Sequence, residues 1–202
     1  MEKDARTKLM ETATELFAHK GFHAVSIREL ARTAGVNSAL ISYYFKSKDG
    51  LYQEVLEEQF VLIAQLLQEV ESLSPASPTE RIIKYAGRIA GIHQQRPFLT
   101  RFIIGELVNP TPCYEAVIQK YISRLFYFLR TTLQEGISKG EFRQSLHSEF
   151  ATVSLAGIMN FFFISKPIFQ NFTSLPQKAD EEYTAQALET FLNGILRRDE
   201  HE

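Results

Sequence analysis

One cysteine, Cys113, stands alone in 202 residues, so no disulfide can close within the chain, as suits a reducing compartment. Stability must then come from burial, and an apolar share of 45% over that length is enough for a packed core. Tryptophan is absent, and 16 Phe and 8 Tyr supply the aromatic mass. No charged-then-apolar leader opens the chain. The longest apolar run, Leu155–Ile164, falls short of the roughly 20 residues a membrane-crossing helix needs. These absences set the expectation of a cytoplasmic protein with no membrane partner. No segment reads as a β-strand, an internal repeat or a low-complexity tract.

Chemical signals are equally sparse. Gly136-Ile137-Ser138-Lys139-Gly140 has the spacing of a hydrolase nucleophile, but that motif needs a strand–turn–helix setting and here it closes a helix. His19 and His23 lie four apart, with the helix-ending Gly21 between them and no further ligand in view. Asn171-Phe172-Thr173 spells a glycosylation acceptor, idle without secretion. Cys113 falls in the first turn of an expected helix, where the helix dipole favours thiolate; the plainer reading is a half-buried thiol. The expectation is no enzyme, no catalytic residue, no metal and no cofactor.

What is present is helical periodicity. Helix 1 is expected from about Lys3 to His19, with Ala5, Leu9, Ala13, Leu16 and Phe17 inward and Gly21 as a left-handed stop. Between Ser26 and Tyr52 two short helices flank a tight turn. Ser26 caps the first, Ile27, Leu30, Ala31 and Ala34 form its stripe, and Gly35 occupies the turn. Asn37 caps the second, whose inward residues are Ile41 and Phe45 and whose outward residues are Ser38, Ala39, Ser42 and Tyr43. A small, hydroxylated outer face is what a helix entering a DNA major groove requires. Net charge is −2, yet Lys20 to Lys48 carries +4, leaving −6 for the rest. A basic pole on an acidic body is the electrostatic footprint of a DNA-binding head.

Ala34-Gly35-Val36, Ile41, Tyr44-Phe45, Ser47-Lys48 and Leu51 together resemble the DNA-binding domain of the tetracycline-repressor (TetR/AcrR-type) transcriptional regulators, over roughly residues 5 to 55. Ser42 departs from it where many members carry Tyr. The resemblance implies a helix-turn-helix domain at 1–48 and an effector-binding and dimerisation domain at 49–202, in an all-α fold of about nine helices. It implies double-stranded operator DNA as a partner, met by Ser26, Arg28, Asn37, Ser38, Ala39, Leu40, Ser42, Tyr43, Tyr44 and Lys48.

The body continues the helical pattern. Helix 4 is expected over Lys48–Leu73, helix 5 from the capping box Ser77-Pro78-Thr79-Glu80 to Arg96-Pro97, and helix 6 over Phe98–Val108. Helix 7 should run from Thr111-Pro112 to Ser138, helix 8 from Ser148 to Lys166-Pro167, and helix 9 from Asp180 to Arg197. Helix 8 is apolar nearly all round and so needs cover on two sides, one of them a second copy of the chain. Leu155, Met159, Phe162, Leu188, Phe191, Leu192 and Ile195 are the expected homodimer contacts. His93, Arg101, Phe102, Tyr121, Phe128, Asn160 and Phe163 are the candidate lining for an apolar or aromatic small-molecule effector, with Glu106 and Asn109 as further polar candidates. The expected function is transcriptional regulation, repression in sense, relieved by that effector. The alternative is a helical ligand-binding or dimerisation module whose head binds protein.

Overall fold

A computed structural model describes residues 4–72 and 76–196. Its helices are α1 (Ala5–Lys20), α2 (Ile27–Ala34), α3 (Ala39–Phe45), α4 (Lys48–Glu71), α5 (Pro78–Gln95), α6 (Leu99–Val108), α7 (Lys120–Ser138), α8 (Ser148–Phe169) and α9 (Ala179–Ile195), with a π-helical segment at Tyr114–Gln119. The only extended pairing among the described residues is an isolated bridge between Phe142 and Leu196. The expected helix ends at Lys3, Leu73 and Arg197 lie outside the described residues. The chain divides into two compact units, Met1–Val61 with Phe98–Tyr121, and Leu62–Pro97 with Ile122–Glu202.

The first unit is built on local signals. Asp4 and Ser26 accept from Thr7 N and Glu29 N and so cap α1 and α2. Gly35 takes φ 67°, ψ 35°, the left-handed conformation that turns α2 into α3. Gly21 is not left-handed helical as expected: φ 78°, ψ 159° puts it in the extended region open mainly to glycine. Leu9, Ala13, Phe17, Leu30, Ile41 and Phe45 close a small core, onto which α4 lays Leu51, Val55 and Leu56. Tyr52 stands at its centre, 4.9 Å from the Phe17 ring and 4.8 Å from Phe22. Its hydroxyl donates to Glu106 Oε1 at 2.7 Å, while Glu106 Oε2 accepts from Thr111 N at 3.0 Å and Thr111 Oγ1 at 3.1 Å. Glu106 is thus a fully hydrogen-bonded buried carboxylate that ties α6 to α4. Burial and this carboxylate push the Tyr52 phenol far above its ordinary range.

The expected single helix from Thr111 to Ser138 is broken in two. The π-helical segment covers Tyr114–Gln119, and α7 starts at Lys120. Cys113 is buried, with Sγ 3.6 Å from Asp49 O, and burial pushes its thiol up. The dipole-activated thiolate is therefore corrected: desolvation opposes it.

In the second unit, the capping box at the start of α5 forms, with Glu80 N donating to Ser77 Oγ at 3.2 Å and Ser77 N donating to Glu80 Oε2 at 2.7 Å. Gly140 stops α7 with φ 75°, and Ser138 Oγ turns back to Glu135 O, so the hydrolase-like spacing is a helix end. α8 does not stop at Pro167 but carries it inside and runs on to Phe169. A proline there removes one i→i−4 donor and exposes one carbonyl, a cost an exposed last turn can bear.

The larger correction concerns which side of α8 faces out. Leu155 and Met159 are 0% exposed within the single chain, and Phe162, Phe191 and Ile195 are buried too. Five of the seven expected dimer contacts are therefore already enclosed; Leu188 and Leu192 are half-buried. The outward stripe is instead Phe150, Ser154, Gly157, Phe161, Ile164 and Ile168, spaced alternately four and three apart. By length and composition α8 could also cross a bilayer, contrary to the expectation from run length. Its inner face, however, carries Ser148, Thr152 and Ser165, the two last hydrogen-bonded to α8 carbonyls.

Candidate nucleic-acid interface and ligand-side residues

Ser26, Arg28, Asn37, Ser38, Ala39, Ser42, Tyr43 and Tyr44 are all exposed, and Leu40 is half-buried. Inward Ile41 and Phe45 fix the rotation of α3, which leaves Ser38, Ala39, Ser42 and Tyr43 on its free side. Tyr43 is 78% exposed. Its ring meets Tyr44 edge-on at 5.0 Å, which holds both hydroxyls at the surface. Asn37 Oδ1 accepts from Ala39 N at 2.8 Å and so starts α3. That bond leaves the Asn37 side-chain amide as its free donor. Ser26 Oγ is engaged as an acceptor by the α2 cap and keeps its proton to donate.

Among the cations, the fold separates roles that sequence merges. Lys20 pairs with Glu29 at 2.6 Å. Lys48 turns inward: Nζ donates to Phe22 O and Val25 O, each at 3.1 Å, and sits 4.0 Å from the Phe22 ring centroid. Those two bonds make it a strut for the α1–α2 loop and leave one of its three ammonium donors for the expected phosphate role. Arg28 and Lys46 are exposed, and their side chains have no ion pair or hydrogen bond among the described residues. Lys46 has φ 67°, ψ −42°, and Ser47 N donates across it to Phe45 O at 2.8 Å. This is the rare positive-φ γ-turn, strained for a non-glycine residue. It joins α3 to α4 in two residues and leaves Lys46 exposed directly after α3. Sequence inspection missed it, since nothing in Phe45-Lys46-Ser47 signals positive φ.

The candidate effector residues divide between the units. Phe102 and Tyr121 belong to the first, Phe102 beside Tyr52 at 6.1 Å and Tyr121 stacked on Phe60 at 5.4 Å. Arg101 on α6 and Asn109 at its C-terminal cap are exposed rather than embedded, so both are corrected. In the second unit Phe128 is buried on α7, and His93, Asn160 and Phe163 come together. His93 Nε2 is 2.9 Å from Asn160 Oδ1, and its ring stacks on Phe163 at 4.0 Å. Burial lowers the His93 pKa, only partly opposed by Asn160 and by Asp180, so the imidazole is neutral at pH 7. Among the described residues no group of His, Cys, Asp or Glu is placed to hold a metal ion.

Residues 9–55 match the profile of bacterial regulatory proteins, tetR family, and residues 78–198 match that of the HTH-type transcriptional dual regulator CecR, C-terminal domain. The chain is 30% identical over 143 residues to the probable HTH-type transcriptional regulator YttP of Bacillus subtilis, spanning 70% of this chain and 69% of that one. It is 24% identical over 195 residues to the HTH-type transcriptional repressor NicS of Pseudomonas putida, spanning 96% and 91%. The fold is shared with the ketosteroid transcriptional regulator KstR2 of Mycobacterium tuberculosis, at TM-score 0.76 and 19% identity over 98% of both chains. It is shared also with PfmR of Thermus thermophilus, at TM-score 0.73 and 20% identity over 98% of this chain and 100% of that one.

Proposed function

The chain belongs to the tetR family of bacterial regulatory proteins, and from that premise we propose that it is a one-component repressor, binding a palindromic operator as a homodimer and released by a small, largely apolar or aromatic effector. That it is a helix-turn-helix transcriptional regulator follows from the family itself. Residues 1–48 are the DNA-binding domain in this reading, and residues 49–202 bind effector and partner. The observation that carries it is the outer face of α3, where Ser38, Ala39, Ser42 and Tyr43 stand uncovered, with Arg28 of α2 and Lys46 after α3 exposed as well. Arg28 reads a base edge, Ala39 offers its methyl to thymine, and the hydroxyls of Ser26, Ser42, Tyr43 and Tyr44 with Lys46 hold phosphates. The homodimer is supported by the exposed stripe of α8, whose spacing is that of a helix seam and whose Phe150, Phe161 and Ile168 are 70%, 60% and 60% exposed. A two-fold axis through it makes one patch serve both copies.

The test is a gel-shift with the DNA upstream of the chain's own gene, over a salt series. A dimer with about 6–10 phosphate contacts loses on the order of 10³–10⁵ in affinity between about 50 and 200 mM salt. Arg28→Ala relaxes the preference at one guanine by about 1–3 kcal/mol. A flat salt response overturns DNA as the partner.

A further inference from the structure

Tyr85 on α5 is fully buried, and its hydroxyl has no hydrogen-bond partner among the described residues. Buried polar groups without partners are rare, because each forfeits the bonds it made in water. The polar groups beside it leave that hydroxyl unbonded. Asn160 directs Oδ1 to His93 and donates Nδ2 to Ala156 O at 2.8 Å. It lies near enough to Tyr85 to favour the phenolate, which only partly offsets the burial that pushes this phenol up to about 12. No bond of acceptable geometry joins the two. The surroundings are aromatic: Phe163 stacks on His93, and Phe162 stacks on Tyr183 at 4.3 Å.

We propose that Tyr85, His93 and Asn160 form the polar end of a ligand site in the second unit, in which the Tyr85 hydroxyl donates to an uncharged hydroxyl or carbonyl oxygen on an apolar or aromatic ligand. This rests on the effector reading above and narrows it. An acceptor oxygen supplies the one partner that the cluster lacks. A carboxylate is the wrong ligand, since none of the three groups is cationic at neutral pH. The carboxylate of Asp180 acts on His93, and the Lys166 ammonium that could answer a ligand charge is already paired with Asp180. Tyr85 escaped sequence inspection because it sits among apolar positions of α5 and reads there as core.

The experiment uses the full chain, wild type and Tyr85→Phe, with 2-naphthol, naphthalene and 2-naphthoate as probes. Thermal melting of the ligand-free proteins comes first. Deleting a hydroxyl that has no partner leaves the melting temperature unchanged or raises it, whereas a lowered one shows that the hydroxyl is bonded within the chain or to trapped water and overturns the proposal. Titration without DNA comes second. Wild type is expected to bind 2-naphthol more tightly than naphthalene or 2-naphthoate by on the order of fivefold, with the preference for 2-naphthol over naphthalene abolished in Tyr85→Phe. Equal naphthol and naphthalene affinities in wild type, or an unchanged preference in the variant, overturn it. Repeating the naphthol titration with operator present separates the two readings. Binding that leaves DNA affinity untouched keeps the site and removes the effector role.

Discussion

Phe161→Glu is the substitution that most directly interrogates the proposed homodimer. Phe161 is 60% exposed in the single chain. A phenylalanine offers about 150–250 Å² of surface to burial, so about 120 Å² remains for a partner to cover. At about 25 cal/mol per Å² this contributes about 3 kcal/mol per protomer. A two-fold seam uses the residue twice, for about 6 kcal/mol, which is on the order of 10⁴ in the dimer dissociation constant. Glutamate removes that term and sets two carboxylates close to the axis, so the figure for the apolar part alone is already decisive. Sedimentation velocity over a concentration series reads the dissociation constant directly. Circular dichroism checks that helix content is unchanged, as expected for a side chain outside the unit's own core. Phe191→Glu is the contrast: Phe191 is buried in its own chain, so a charge there unfolds the unit rather than parting two of them. A folded Phe161→Glu protein whose dimer weakens by less than about tenfold would refute the reasoning and move the interface off this stripe.

Lys48→Ala frees the carbonyls of Phe22 and Val25 and is expected to cost the head about 1–3 kcal/mol, read as a lower melting temperature; an unchanged melt would return Lys48 to the phosphates. His93 has a folded pKa below its ordinary 6.5, so the unfolded chain binds the proton more readily. Stability is accordingly full above that value and lost as pH falls below it, a drop that His93→Gln removes in denaturant titrations at stepped pH. In Gly136→Ala the new Cβ would meet the Phe142 ring at 2.1 Å, beneath a side chain that is itself 0% exposed. The expected destabilisation is about 1–3 kcal/mol, measured by urea unfolding, and a neutral result would mean that Phe142 moves freely.

The head was legible because its determinants lie close together along the chain. Ser26 caps three residues ahead, Gly35 turns in place, and Ile41 with Phe45 sets the rotation of α3. Each signal acts over one or two helical turns, within reach of periodicity and capping rules. The capping box at Ser77 is legible for the same reason.

What the sequence by itself determined is therefore the family, the helical class and the outward face of α3. Tertiary structure decided everything that depends on a partner distant in sequence. α8 is apolar nearly all round, with its few hydroxyls on both faces, so its periodicity carries no phase, and only packing within the second unit shows Leu155 and Met159 inward and Phe161 and Ile164 outward. Lys48 reads as a groove-side cation until carbonyls 26 and 23 residues earlier take its ammonium. Phe98–Tyr121 follows the body helix α5 in sequence but joins the first unit, through the Glu106 carboxylate that Tyr52 and Thr111 satisfy. His93 and Asn160 meet across 67 residues, and Tyr85 lacks a partner only because burial has taken water away from it. A hydrogen bond is a matter of ångströms in space, and the order of residues along a chain does not contain that distance.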